Sequence, residues 1–300
     1  IEQPYDVYAT AADFGLSSNG TAEAKSYFAS DLCVSEDVAI GTDSTDSQVA
    51  EGAGTFNLET NTVVYAKNLY ERLYPASTTK ILTAYIALKY CDDLDAMVTV
   101  SENAVNQASD SSVCNLKAGD VIRLRDLLYG LMLRSGNDAA VAIAEYISGD
   151  VDSFAALMNQ EAAAMGATRS HFVNPNGLPD ENHYTCVYDM YLIFSNAVKN
   201  DTFVSIIGTT SYDVTYTDAS GEAVTHTWEN TNQYLTGNAT TPDGFQIVGG
   251  KTGTTGEAGY CLVLYSYNPS GQPIISIVFK ADGKSNLYLL MNEMLQGFAI

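Results

Sequence analysis

The segment Pro75-Ala76-Ser77-Thr78-Thr79-Lys80 decides the fold of this chain, because it leads directly into an apolar run over residues 81–90. Residues 81–88 carry no charged side chain, and their apolar positions fall on every side of a helix, which predicts a buried helix. Ser77 and Lys80 are three positions apart, so a helix places both side chains on one face, about one turn from each other.

This pair has two interpretations at the level of the residues alone. Burial favours a neutral amine on Lys80, and the N-terminus of a helix favours negative charge that develops at Ser77. A serine nucleophile with a lysine base needs both conditions. A serine that caps the helix and a lysine that extends to solvent explain the same pattern, so the rest of the chain has to distinguish them.

The composition excludes several classes of partner. The chain has 300 residues, which is enough for one large domain or two intertwined subdomains. Its 36 acidic and 14 basic residues give a net charge of −22, which repels nucleic acid and anionic lipid head groups. No run of about 18 apolar residues occurs, so we expect no membrane-spanning helix.

Cysteines and histidines give no support for a metal site or a histidine-based triad. The five cysteines are widely scattered and form no C-x-x-C pair, so we expect neither a metal nor a cofactor, and one disulfide stays open. No G-x-S-x-G motif is present. Three histidines in loop-like or strand-like contexts are expected to be surface or packing residues: His171, His183 and His226.

Residue periodicity predicts strands near both ends of the chain and helices between them. Strands are predicted over residues 53–58, 62–67, 212–216, 223–228, 246–252, 260–267 and 274–280. Helices are predicted over residues 21–32, 81–90, 124–133, 138–147, 154–165, 187–198 and 285–296. Asp120 is expected to cap the helix that begins near Ile122. This order suggests one sheet completed by both ends of the chain, with a helical subdomain inserted.

Two further short motifs are weak when each is considered alone. Ser135-Gly136-Asn137 separates two strongly helical segments, where it fits either a loop facing a cleft or a simple helix junction. Lys251-Thr252-Gly253 lies in a strand pattern and follows two glycines, which suggests a nucleotide-binding loop. That possibility is rejected because Phe245 stands where the motif requires glycine and because a strand, not a helix, follows.

The three motifs in this order resemble the signature of penicillin-recognising serine enzymes. The resemblance is greatest to low-molecular-mass penicillin-binding proteins that act as serine D-alanyl-D-alanine carboxypeptidases. Longer stretches, at residues 127–148, 172–178, 249–255 and 258–260, are also similar to that family, and the similarity runs from about residue 50 to the end.

The resemblance implies an α+β fold, an α-β-α sandwich in which helices flank an antiparallel five-stranded sheet and an all-helical subdomain is inserted. We expect a single catalytic domain over residues 1–300. Its α/β part would comprise residues 1–90 and 202–300, and its helical subdomain residues 91–201. The all-β domain and the C-terminal anchor that many family members carry are not expected in this chain.

The resemblance also implies catalytic roles for three residues. Ser77 would attack the carbonyl between two terminal D-alanines and form an acyl-enzyme. Lys80 would take the serine proton while neutral, and Ser135 would bridge Lys80 and the leaving amine. Backbone N–H groups of Ser77 and Thr254 would form the oxyanion hole, where such donors are worth roughly 3–4 kcal/mol each in acyl transfer.

Substrate binding is implied for five further positions. Asn137 would hold the amide backbone of the substrate, and Lys251 would attract its terminal carboxylate and tune Lys80. Hydroxyls of Thr252 or Thr254 would bind that carboxylate, and Gly253 would let the substrate lie against the edge of the strand.

The implied partners are peptidoglycan stem peptides that end in D-Ala-D-Ala and β-lactam antibiotics, at the extracytoplasmic face of a bacterial cell envelope. One alternative is a class A-like β-lactamase. Those enzymes have Ser-Asp-Asn as their second motif, where this chain has Gly136 in the middle position, and they need a glutamate in a following loop for deacylation. The comparable loop here, residues 174–185, contains Glu181 as its only glutamate. The other alternative is a non-hydrolytic domain that senses β-lactams or muropeptides.

Overall fold

The computed structural model describes residues 31–300. The helix predicted over residues 21–32 lies outside the described residues, apart from its last two positions, which form a turn and a bend. Within the described range, no helix is both long enough and apolar enough to cross a bilayer. All five cysteines are thiols, so the disulfide that the sequence left open is not formed.

The strands of the described range are numbered in chain order. They are β1 (Ala50–Asn57), β2 (Thr62–Lys67), β3 (Met97–Thr99), β4 (Val121–Arg123), β5 (Ser211–Thr217), β6 (Ala223–Glu229), β7 (Gln246–Thr255), β8 (Gly259–Tyr267) and β9 (Pro273–Ala281).

The helices of the same range are α1 (Lys80–Tyr90), α2 (Glu102–Val105), α3 (Leu124–Tyr129), α4 (Asn137–Ser148), α5 (Val151–Ala164), α6 (Val187–Ala197), α7 (Asp201–Ile207) and α8 (Lys284–Phe298). A 3₁₀ turn over Ala76–Thr79 precedes α1, and a π-helical turn over Gly130–Arg134 continues α3.

The main sheet has five antiparallel strands in the order β2-β1-β9-β8-β7. Pairing of β1 with β9 joins the beginning and the end of the described chain, as the strand pattern predicted. Alternate residues of β8 serve opposite faces: Leu262 and Leu264 pack in the cluster with α8, while Val263 packs in the cluster with α1 and α6. The predicted five-stranded α+β sandwich is confirmed, and β7 forms one edge of its sheet.

A second sheet, of order β3-β4-β5-β6, corrects part of the sequence prediction. The hairpin of β5 and β6 was expected in the α/β part, but it pairs with β4 at Val121 and Thr217. The region expected to be all-helical therefore contains strands. Alternation identified the hairpin but cannot specify which sheet it joins, and three-residue strands are too short to show alternation.

Asp120 does not cap a helix, which corrects a second expectation. Residues 121–123 form β4, which pairs with β3, and α3 begins only at Leu124. The Asp120 carboxylate instead accepts a hydrogen bond from the backbone N–H of Lys117. The β-branched pair Val121 and Ile122 favours a strand at this position.

Helix α1 lies in the middle of the core and carries the decisive motif at its start. Its side chains Ile81, Leu82, Ala84 and Ile86 are fully buried. The helix packs against α4, α5 and α6, and the turn before it packs against β7. The predicted buried helix is therefore confirmed, and it fixes the segment 75–80 at the edge of the main sheet.

Candidate active site

The turn that carries Ser77 lies directly against the edge strand β7. Ala76 has a left-handed backbone with φ of 48°, and the Thr78 hydroxyl donates to the Pro75 carbonyl at 2.7 Å. A Cβ atom at Gly253 would stand 2.9 Å from the backbone N of Ser77. Only glycine therefore lets the strand approach this closely.

The Lys80 amine has three hydrogen-bond partners in a fully buried position. Its Nζ lies 2.9 Å from Ser77 Oγ, 2.8 Å from Asn137 Oδ1 and 2.6 Å from the carbonyl oxygen of Asn176. Both of the latter oxygens can only accept, so they take two N–H groups. A neutral amine has two N–H groups and one lone pair, and that lone pair is left facing the Ser77 hydroxyl. The geometry fits a base aimed at a serine.

The electrostatic surroundings favour this neutral form. Burial lowers the pKa of Lys80 well below its usual value, and the nearby charge of Lys251 lowers it further. Burial also lowers the pKa of Lys251, to about 7. The charge of Lys251 is therefore one of the causes that favour a neutral Lys80.

Ser135 adopts a left-handed backbone with φ of 63° after the π-helical turn, and its side chain points toward β7. The Lys251 ammonium donates to Ser135 Oγ at 3.0 Å and to the Thr252 carbonyl at 2.7 Å. Sequence reasoning expected a contact between Ser135 and Lys80, and the hydrogen bond that the structure gives Ser135 is to Lys251 instead.

Hydrogen bonds hold the loop of Ser135, Gly136 and Asn137, with the adjoining Asp138, against residues 112–116. The backbone N–H of Asn137 donates to the Ser112 carbonyl at 2.8 Å. The buried Asp138 carboxylate accepts the N–H groups of Cys114 and Leu116. A Cβ atom at Gly136 would stand 2.4 Å from Cys114 Sγ, so any larger residue at position 136 would displace that thiol.

The structure brings all eight predicted site residues to one cleft. Two cavities open at Ser77, of about 220 Å³ and about 400 Å³. The first lies beside Ser135, Thr252 and Gly253, and the second beside Asn137 and the segment 176–179. Thr254 lines both cavities. The hydroxyls of Thr252 and Thr231 lie 2.6 Å apart at the wall of the first cavity.

Sequence reasoning missed two contributors to this cleft. Asn176 acts through its backbone carbonyl, which leaves no side-chain signature, although its turn-rich segment was noted. Lys284 is the first residue of α8 and lines the smaller cavity with Tyr288. Lys284 lies beside the active-site motifs in the fold but far from them in the sequence, so no local sequence pattern marks it.

His183 was expected to be a surface or packing residue, and the structure places it in the interior. It is only 1% exposed. Its Nδ1 accepts the backbone N–H of Val173 at 3.1 Å, and its Nε2 lies 2.9 Å from the Thr79 hydroxyl. No group of three or more His, Cys, Asp or Glu side chains between residues 31 and 300 is arranged to hold a metal ion.

Comparison with known proteins gives a consistent family. Residues 41–283 match the family described as D-alanyl-D-alanine carboxypeptidase. The carboxypeptidase DacF of Bacillus subtilis is 34% identical over 251 residues, which is 82% of this chain but 61% of that protein. A D-alanyl-D-alanine carboxypeptidase of Streptomyces sp. is 34% identical over 265 residues, 84% of this chain and 88% of that protein.

A solved structure agrees with these relatives. The DD-transpeptidase of a Streptomyces strain superposes with a TM-score of 0.77 at 33% identity, covering 84% of this chain and 98% of that one. The chain thus spans about three fifths of the Bacillus relative and nearly all of the Streptomyces structure. A family match over most of the chain, together with relatives above 30% identity, shows that this chain belongs to the D-alanyl-D-alanine carboxypeptidase family.

Proposed function

We propose that this chain is a serine D-Ala-D-Ala carboxypeptidase that removes the terminal D-alanine from peptidoglycan stem peptides. It forms an acyl-enzyme on Ser77, is acylated by β-lactams and acts at the extracytoplasmic face of a bacterial cell envelope. The observation that carries the proposal is the arrangement around Lys80, whose two obligatory acceptors leave its lone pair for the Ser77 hydroxyl.

In the first step, Ser77 Oγ attacks the carbonyl carbon of the penultimate D-alanine while its proton passes to neutral Lys80. The oxyanion that develops is bound by the backbone N–H groups of Ser77 and Thr254. The close approach of Gly253 to the Ser77 nitrogen supports this pairing, because it holds the two donors on the same side of the cleft. The edge of β7 leaves room for the peptide to align beside it.

In the second half of acylation, the C–N bond breaks and the D-alanine amine needs a proton. Ser135 Oγ accepts a hydrogen bond from Lys251, so its own hydroxyl proton is directed elsewhere and can pass to that amine. Lys251 then replaces the proton on Ser135, which its pKa of about 7 permits near neutral pH. The proton held by Lys80 then passes to Lys251, which returns both lysines to their starting forms. Neutral Lys80 activates the water that hydrolyses the ester.

The free carboxylate of the substrate is the feature that distinguishes a carboxypeptidase substrate from an internal peptide bond. Lys251 supplies a cation, and the hydroxyls of Thr252 and Thr254 line the cavity at Ser77. The Thr254 hydroxyl donates to the Gly253 carbonyl at 2.8 Å in this structure, so it has to rotate to bind the carboxylate. Lys284 adds a second positive charge at the wall of the same cavity. Asn137 binds the substrate amide on the opposite side.

The β-lactamase alternative needs a deacylating glutamate in the loop over residues 174–185, where the candidate is Glu181. Glu181 is exposed and lines neither cavity at Ser77. Glu257 lines the larger cavity at Ser77, but it follows β7 and does not belong to that loop. Because no glutamate of the loop lines the cavities, we expect a β-lactam acyl-enzyme to be long-lived.

The test compares D-alanine release from diacetyl-L-Lys-D-Ala-D-Ala with hydrolysis of benzylpenicillin, using Ser77→Ala as the matched control. We expect D-alanine release that requires Ser77, with slow penicillin turnover. Fast penicillin hydrolysis would instead indicate a β-lactamase, and a stable adduct without D-alanine release would indicate a sensor. Because one similar structure is named a DD-transpeptidase, glycine added as an acceptor amine would reveal transfer in the same assay.

A further inference from the structure

His183 is a buried histidine for which the proposed reaction has no use. A backbone N–H can only donate, so the Val173 N–H requires an unprotonated Nδ1 on His183. The ring proton therefore lies on Nε2 and is donated to the Thr79 hydroxyl at 2.9 Å. Phe172 packs edge-on against the imidazole, with the ring centroids 5.5 Å apart. The side chain is held in one tautomer and one orientation.

Burial keeps this imidazole neutral, because it lowers the pKa of His183 to about 4. Near neutral pH both of its hydrogen bonds are therefore present together. One bond joins His183 to Val173 at the other end of the segment 173–183. The other bond joins His183 to Thr79, which lies between Ser77 and Lys80 in the sequence.

The segment 173–183 touches the serine–lysine turn at further points. Its Asn176 carbonyl accepts from Lys80 at 2.6 Å, and its Pro175 carbonyl accepts from the Thr83 hydroxyl at 2.7 Å. Gly177, with φ of 89°, packs so closely that a Cβ atom there would stand 1.8 Å from the Ala76 carbonyl oxygen. The segment and the turn are thus built as one unit, with His183 as its side-chain tether.

We infer that His183 is a positioning residue for the Ser77 and Lys80 pair. Its neutral imidazole ties Thr79 to the segment 173–183, so that the Asn176 carbonyl stays on Lys80 Nζ. That contact occupies one N–H of the amine and leaves the lone pair facing Ser77. Without the tether, the amine can rotate an N–H toward the serine and the base is misdirected. The inference rests on the proposed function, since it concerns the orientation of the base in that reaction.

Two substitutions separate the two bonds of the imidazole. His183→Asn keeps an acceptor near the Nδ1 position but has no group at Nε2, whereas His183→Gln keeps a donor near the Nε2 position and loses the Nδ1 acceptor. Thr79→Val removes the hydroxyl from the other side while preserving its shape. His171→Gln is the matched control, because His171 bonds the Asn182 carbonyl and does not contact Thr79.

The readout is the rate constant of acylation at saturating benzylpenicillin, measured per titrated active site, alongside the unfolding temperature. We expect His183→Asn and Thr79→Val each to slow acylation about tenfold, with His183→Gln retaining most of the rate at a similar loss of unfolding temperature. The double variant His183→Asn with Thr79→Val should acylate no more slowly than either single variant, because the two substitutions remove the same hydrogen bond. His171→Gln should acylate as the wild type does.

The result that overturns the inference is a set of folded variants that acylate at the wild-type rate and differ only in unfolding temperature. Equal rates for His183→Asn and His183→Gln, both slowed, would also overturn it, since packing and not the Thr79 contact would then be responsible. If the wild type forms no adduct, the proposed function fails together with this inference. Normal wild-type acylation with unaffected variants sinks the positioning role alone.

Discussion

Lys80 and Lys251 are both fully buried behind the residues that line the cleft, yet their surroundings differ. Lys80 contacts two oxygens that can only accept and one hydroxyl that can donate. Lys251 donates to Ser135 and to the Thr252 carbonyl. Burial lowers both pKa values, and the charge of Lys251 adds to the effect on Lys80. Of the two amines, it is Lys80 that lies 2.9 Å from the Ser77 hydroxyl, so the two lysines differ in their hydrogen-bond partners and not in the direction of their pKa shifts.

Removing the first lysine should have the largest effect. Lys80→Ala is expected to slow acylation of Ser77 by penicillin about 10²–10⁴-fold, the usual contribution of a general base. Acylation is followed by mass spectrometry of the intact protein over time. Lys89→Ala, on the exposed side of the same helix, is the control and should acylate normally. Normal acylation of a folded Lys80→Ala variant would exclude Lys80 as the base.

The effect of replacing Lys251 on kcat/KM should depend on whether the substrate has a free terminal carboxylate. Lys251→Gln loses a hydrogen-bonding charge, which is expected to lower kcat/KM for a peptide with a free terminal carboxylate roughly 10- to 100-fold. The same peptide with its terminus methylated should lose less, because it loses only the proton that Lys251 returns to Ser135 and not the contact with the carboxylate. Steady-state kinetics on the two peptides measures the difference. Equal losses of kcat/KM on both peptides would show that Lys251 does not bind the substrate carboxylate.

Lys284 lies at the margin of the cavity and is exposed to solvent, so its effect should be smaller. Lys284→Gln is expected to raise KM for the carboxylate peptide up to about fivefold with kcat unchanged, because exposed charge pairs are worth less than about 1 kcal/mol. The effect should shrink at high salt. A change in kcat of the same size would mean that Lys284 acts on the chemistry and not on binding.

The pH dependence should show how the two lysines are coupled. The proposed reaction needs Lys80 neutral and Lys251 charged, so kcat/KM should rise with pH as Lys80 loses its proton and fall above about pH 7 as Lys251 does. Lys251→Gln removes the repelling charge, which raises the pKa of Lys80 and shifts the rising limb to higher pH. The shift is read from kcat/KM between pH 4 and pH 9. An unmoved rising limb would contradict the coupling.

The parts of this molecule that could be predicted are those with a side-chain pattern. Continuous apolar character placed α1 in the core, and strand alternation identified β7, so the cleft followed once three motifs were combined. The carbonyl of Asn176 was missed because backbone groups look alike in every sequence. His183 was missed because its partners, Thr79 and the Val173 N–H, lie far from it in the chain or belong to the backbone. The second sheet was missed because β3 and β4 have three residues each.

The central claim is that Ser77, activated by Lys80, carries the acyl group. Its most direct test is the mass of the intact protein after incubation with benzylpenicillin, followed by peptide mapping of the modified residue. The account predicts one penicilloyl adduct, located on Ser77 and absent from a folded Ser77→Ala variant. No adduct on the wild type, or an adduct that persists in Ser77→Ala, would contradict it.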